Sequence, residues 1–173
     1  QTHHRIHISP SLSPGRYQLA LQLMDTSGGA IVSDPISLRP IEIQSRERSF
    51  SCPDEDWQPA ELLFGEHIHL RGYEIGEMDL APGGALPLRL CWQADEVRGA
   101  LDSDLSLFVH LLGPDGVPHG QVDRVPGGGA WPTSSWAPGQ FVVDRIDLPV
   151  DSAAPPGEYH IAVGFYDPRY GDR

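Results

Sequence analysis

Residues Pro14-Gly15-Arg16-Tyr17-Gln18-Leu19-Ala20-Leu21-Gln22-Leu23-Met24-Asp25 return 142 positions later as Pro156-Gly157-Glu158-Tyr159-His160-Ile161-Ala162-Val163-Gly164-Phe165-Tyr166-Asp167. Pro, Gly, Tyr, Ala and Asp are identical at that offset. Leu19, Leu21 and Leu23 are answered by Ile161, Val163 and Phe165, and Gly29 falls on Gly171. Upstream, Arg5-Ile6-His7-Ile8 is echoed by Arg145-Ile146-Asp147-Leu148, with a loop two residues longer before the Pro-Gly. A Pro-Gly turn followed by apolar residues at every second position encodes a turn and a strand with one buried face. Two copies imply modules in a row. The spacing predicts that the chain starts inside the last third of one module and runs through most of a second.

The remaining strand signals are short and frequent, at 6–8, 16–24, 36–43, 68–73, 86–93, 105–112, 141–148 and 159–166. Leu86, Leu88, Leu90 and Trp92 alternate with other residues and so share a face. Pro87 among them removes a ladder donor, which predicts an edge strand or a strand start. Turn signals separate these runs: Ser27-Gly28-Gly29, Pro82-Gly83-Gly84, Gly127-Gly128-Gly129, Pro138-Gly139, and the hairpin corner Pro114-Asp115-Gly116. Helical periodicity is not sustained beyond about two turns, around 95–102. Many short strands with regular turns predict an all-β fold, an antiparallel β-sandwich of immunoglobulin-like or jelly-roll-like kind.

Composition narrows the function classes. Gly 19 and Pro 17 in 173 residues break long helices, while 39% hydrophobic content and four Trp are too rich for a disordered chain. A formal net charge of −12 would repel nucleic-acid phosphates and disfavours an anionic membrane surface. Neither a bilayer-spanning apolar run nor a signal-peptide pattern is present. Cys52 and Cys91 form no disulfide framework. With Cys91 in a strand and Cys52 before Pro53, two unpaired thiols are the simpler reading, and a single bridge is the alternative. The polar stretch 46–60 reads as a connector. Residues 1–45 are the closing strands of a preceding repeat, and 61–173 form the main sandwich. Some forty residues are too few for their own core. The segment 5–43 is therefore expected to add strands to the main sandwich, or to dock on a neighbouring molecule as a swapped dimer.

Phe108-Val109-His110-Leu111-Leu112-Gly113-Pro114-Asp115-Gly116, Gln121-Val122-Asp123, Trp131-Pro132-Thr133-Ser134-Ser135-Trp136-Ala137-Pro138-Gly139, Asp144 and Pro156 through Asp167 resemble soluble β-sandwich modules of bacterial membrane glycosyltransferases. Those enzymes are similar to dolichyl-phosphate-mannose protein mannosyltransferases. Leu70-Arg71-Gly72-Tyr73 and Leu88-Arg89-Leu90-Cys91-Trp92 fit the opening strands of such a module. The resemblance covers about residues 60–173. It implies a non-catalytic, extracytoplasmic accessory module, a monomer or weak dimer, with a glycan or polypeptide acceptor as partner. Contact with a membrane would come only through other segments of the parent protein. The family's catalytic acidic residues have no match here, so the chain itself is expected not to be an enzyme. A carbohydrate-binding sandwich of a secreted enzyme and a ligand-free spacer are the alternatives.

The candidate ligand residues are Trp131, Trp136, His110, Asp123 and Asp144. An indole face stacks well on the apolar C–H groups of a sugar, but two rings in a Gly- and Pro-rich loop can equally cover an open end of a sandwich. If a sugar binds there, Trp136→Ala is expected to weaken it with the fold intact. His67 and His69, two apart on a strand, could bind zinc only with a converging third ligand. Asp115, Asp123 and Asp144 could offer oxygens to Ca²⁺, but turn carboxylates more often cap backbone N–H groups. Asp123 with Asp144 as a hydrolytic carboxylate pair lacks any supporting spacing. No cofactor motif occurs. Tyr17 and Tyr159 are expected at equivalent strand starts, partly buried and with bonded hydroxyls, much as in a tyrosine corner.

Overall fold

The computed structural model describes residues 12–23, 33–44, 46–53, 56–76, 80–97, 101 and 103–170. The expected strand 6–8 lies outside them. Two compact units divide the chain, Gln1–Glu47 and Arg48–Arg173.

In the first unit the strands pair with one another. β1 (Gly15–Tyr17) pairs antiparallel with β4 (Ile41–Ile43), and β2 (Ala20–Leu21) with β3 (Ile36–Ser37). The expected runs 16–24 and 36–43 thus face each other as two interrupted ribbons. Between the ribbons, the Leu38 N–H donates to the Leu19 carbonyl at 2.8 Å.

The second unit is an antiparallel β-sandwich. One sheet has the order β10-β7-β6-β5, built from Phe141–Pro149, Ala85–Ala94, Ile68–Ile75 and Gln58–Phe64. The other has the order β11-β8-β9, built from His160–Tyr166, Ser106–Leu112 and Pro118–Arg124. Period-two alternation decides which faces meet: Leu86, Leu88, Leu90 and Trp92 of β7 and Leu107, Val109 and Leu111 of β8 are all buried in one core with Val142, Ile146 and Leu148 of β10. β7 is a central strand, and Pro87 lies near its start, where the missing donor matters least. The Pro87 carbonyl still accepts from the Gly76 N–H at 2.8 Å.

The β8–β9 corner folds as Pro114-Asp115-Gly116 implied. Gly116 takes φ 74°, its N–H donates to the Gly113 carbonyl at 2.9 Å, and Asp115 Oδ1 accepts from the Val117 N–H at 3.0 Å. At the edge where the sheets meet, Gly120 of β9 lies so close to β10 that a Cβ there would stand 1.9 Å from the Pro149 carbonyl oxygen. The Asp151 N–H donates to the His119 carbonyl beside it at 2.7 Å. Only glycine permits this approach.

Most of the stretch 46–60 is fastened to the sandwich. Arg48 donates to the Ser135 carbonyl at 2.8 Å and to Gln140 Oε1, and the Phe141 N–H donates to the Ser49 carbonyl at 2.8 Å. Cys52 is disulfide-bonded to the fully buried Cys91 of β7, with Cα atoms 6.3 Å apart. This corrects the reading of two unpaired thiols. Sequence could not bring them together, because they are 39 positions apart with two strands between them. The Arg89 guanidinium rests 4.7 Å from the centre of the Trp57 ring. Among the described residues no helix is long and apolar enough to cross a membrane.

Candidate functional site

The Gly- and Pro-rich segment between β9 and β10 folds into a bonded cap. Thr133–Ser135 makes one 3-10 turn. Thr133 Oγ1 donates to the Ser103 carbonyl at 2.9 Å and accepts from the Leu105 N–H at 2.8 Å, and Ser134 donates to Asp104 through N–H and hydroxyl. These bonds tie the loop to the start of β8 and drive Trp136 into the core, where it is 1% exposed. Its indole N–H donates to the Trp131 carbonyl at 2.9 Å. A ring so enclosed has no face to offer a sugar. The expectation that Trp136→Ala would spare the fold is therefore corrected: this ring is core. Trp131 is half-buried. The Arg48 guanidinium lies 5.4 Å from its ring centre, and Gly127, with φ 63°, sits against its edge.

Asp144 belongs to the same cap. Its carboxylate is 0% exposed and accepts from the Trp92 indole N–H at 3.2 Å, Arg124 at 3.0 Å and the Gly128 N–H at 3.3 Å. A buried carboxylate is tolerable only with such partners. Asp144 therefore ties the glycine-rich turn and a core tryptophan to β10, and it is sealed from any solvent-borne substrate.

His110 and Asp123 lie elsewhere, on the outer face of the three-stranded sheet. Leu107, Val109 and Leu111 point inward, so the alternate residues Phe108 and His110 point out, with ring centres 5.1 Å apart. Asp123 is opposite Phe108 in the β8–β9 register and is exposed, whereas His110 is 8% exposed. The structure thus brings Trp131, Trp136 and Asp144 together and separates them from His110 and Asp123. Asp115 is apart from both groups. In the corner its carboxylate contacts His119 Nε2 at 3.0 Å, and the Val117 amide, then His119, hold its pKa below the ordinary carboxylate value. His69 Nε2 stands 3.5 Å from Asp95 Oδ2. Among the described residues no three His, Cys, Asp or Glu side chains form a metal-ligand set.

The sequence reading missed a recess between the sheets. A cavity of about 700 Å³ opens between the sheets on the side of β5, β6 and β11. Leu62, Leu70, Tyr73, Ile75, Ile161 and Val163 are among its walls, with Leu86, Leu88 and Leu90 at its back. Elsewhere in the core Phe64, Trp92 and Phe165 meet edge to face with centres 4.9 to 5.8 Å apart. Leu62 at the mouth is 54% exposed. The only signal in the sequence was Leu62-Leu63-Phe64, an apolar run next to a stretch read as connector.

Comparisons with protein-family models, with curated proteins and with solved structures found no match to this chain.

Proposed function

We propose that the chain is a non-catalytic accessory module of an extracytoplasmic, modular protein, of the kind its resemblance to membrane glycosyltransferases implies, and that it contacts a glycan or polypeptide acceptor. One observation carries this reading. The turn-strand unit recurs in both units with the same local bond: the Tyr17 hydroxyl donates to the Ser13 carbonyl at 2.7 Å, and 142 residues on the Tyr159 hydroxyl donates to the Pro155 carbonyl at 2.6 Å. Recurring units are how arrays of binding and spacing modules are built. Two further features agree with it. The Cys52–Cys91 bridge suits an oxidising compartment. The fully buried carboxylate of Asp144 is engaged by three donors and has no access to a substrate.

Screening the chain against glycan and polypeptide-acceptor arrays tests the reading. Retention on either class is expected, with no product released. If glycans are retained, Trp131→Ala should weaken them several-fold, since it removes the one ring of the cap that reaches solvent. No retention on either array would overturn the contact reading and leave a ligand-free spacer. The burial of Trp136 favours that second reading.

A further inference from the structure

We infer that the outer edge of β11 is a strand acceptor. It takes an extended polypeptide segment of the kind found at residues 36–43, antiparallel, as a fourth strand of the β11-β8-β9 sheet. The aliphatic side chains on one face of that segment lie over the mouth of the cavity.

Three observations meet here. β11 pairs with β8 from His160 to Tyr166 on one side, and along residues 160–165 no strand pairs with its other side among the described residues. An exposed edge is a row of backbone donors and acceptors ready for another strand. The same edge borders the cavity, since Tyr159, Ile161 and Val163 line it opposite Leu62, Tyr73 and Ile75. Empty apolar space costs stability in proportion to its volume. Finally, the first unit shows what the repeated turn-strand sequence receives. Gly15, Arg16 and Tyr17 pair with Ile43, Glu42 and Ile41, and Ala20 and Leu21 with Ser37 and Ile36. That partner carries aliphatic residues at Ile36, Leu38, Ile41 and Ile43. In the second unit β8 already holds one edge, which leaves the outer edge for a strand of this type.

The chemistry favours a polypeptide over an acyl chain. A lipid tail would fill the cavity but leave the N–H and C=O groups of the edge to water, whereas an added strand satisfies both surfaces at once.

The test titrates the full chain with a synthetic peptide of residues 33–44 and follows amide hydrogen exchange. Binding is expected to slow exchange by about tenfold or more at those amides of 160–165 that point away from β8. A peptide carrying Ile36→Ser, Leu38→Ser and Ile41→Ser should bind about tenfold more weakly or worse. A chain that is already dimeric, with these amides already protected, would also uphold the acceptor and identify a second copy as the strand donor. A monomeric chain with no binding at about 1 mM peptide would overturn the inference. So would binding that leaves the β11 amides unprotected, or a fatty acid that occupies the cavity and blocks the peptide without protecting them.

Discussion

The Tyr159 hydroxyl donates to the carbonyl of Pro155, four residues upstream, at 2.6 Å. The bond ties the Pro-Gly turn to the first residue before β11, and the ring packs beside the core at the rim of the cavity. The His119 ring meets it edge on, with centres 5.9 Å apart. Tyr159→Phe keeps the ring and removes only the bond. Thermal melting should fall by about 2–4 °C, the shift expected for loss of one net hydrogen bond in a chain of this size. An unchanged melting temperature would show that the turn is set by proline and glycine alone.

Asp144→Ala should be far more damaging. It leaves the Trp92 indole N–H and the Arg124 guanidinium without their buried acceptor. Arg124 keeps the Arg145 carbonyl and partial access to water, so the loss is dominated by the orphaned buried donors, at about 1–3 kcal/mol each. Asp144→Asn keeps an acceptor oxygen and should cost less. Denaturant unfolding of the two variants checks the order, and equal losses would contradict it.

Trp136→Ala should cost about 3–5 kcal/mol and expose the end of the core, as for other large aromatic truncations. The loss should appear in denaturant unfolding even when no ligand is present. A variant as stable as the parent would place the ring outside the core.

How far the sequence revealed this arrangement depended on burial. β7, β8, β10 and β11 were legible because each has one face in the core, which imposes strict alternation: Leu86, Leu88, Leu90 and Trp92, or Ile161, Val163 and Phe165. β5 and β9 were not. Both are edge strands, where Pro59 and a bulge before Leu62 interrupt one, and His119, Gln121 and Asp123 make the other largely polar. The roles of Trp136 and Asp144 were hidden for a different reason. Residue type alone does not say whether an indole or a carboxylate in a loop is presented or enclosed. Their partners come from β7, β9 and the segment before β8, which only the folded chain brings near. The cavity was equally out of reach, because a gap between sheets depends on which side chains fail to meet.

Asp167 supplies a pH test. Its carboxylate is paired with Arg169, whose Nη2 lies 2.6 Å from Oδ2 and whose backbone N–H lies 2.9 Å from Oδ1. Those bonds, the Arg169 side chain first, lower its pKa from 3.8 to about 2. A depressed folded pKa means that the contribution to stability is complete above the unfolded value. It is lost as pH falls from about 4 through about 2. Carbon-detected NMR titration should give a midpoint near the lower value, and Arg169→Ala should return it toward the ordinary carboxylate range. A midpoint near 4 in the parent would mean that the pair does not form in solution.

The most direct test of an extracytoplasmic module is the state of Cys52 and Cys91 in protein isolated from its native cells. Thiol alkylation before reduction, read by mass spectrometry, should find both cysteines blocked, and the peptides holding them should separate only after reduction. Reduction should also lower stability by about 2–4 kcal/mol, as expected for opening a closed loop of this length. Two freely alkylated thiols in the native protein would contradict the account.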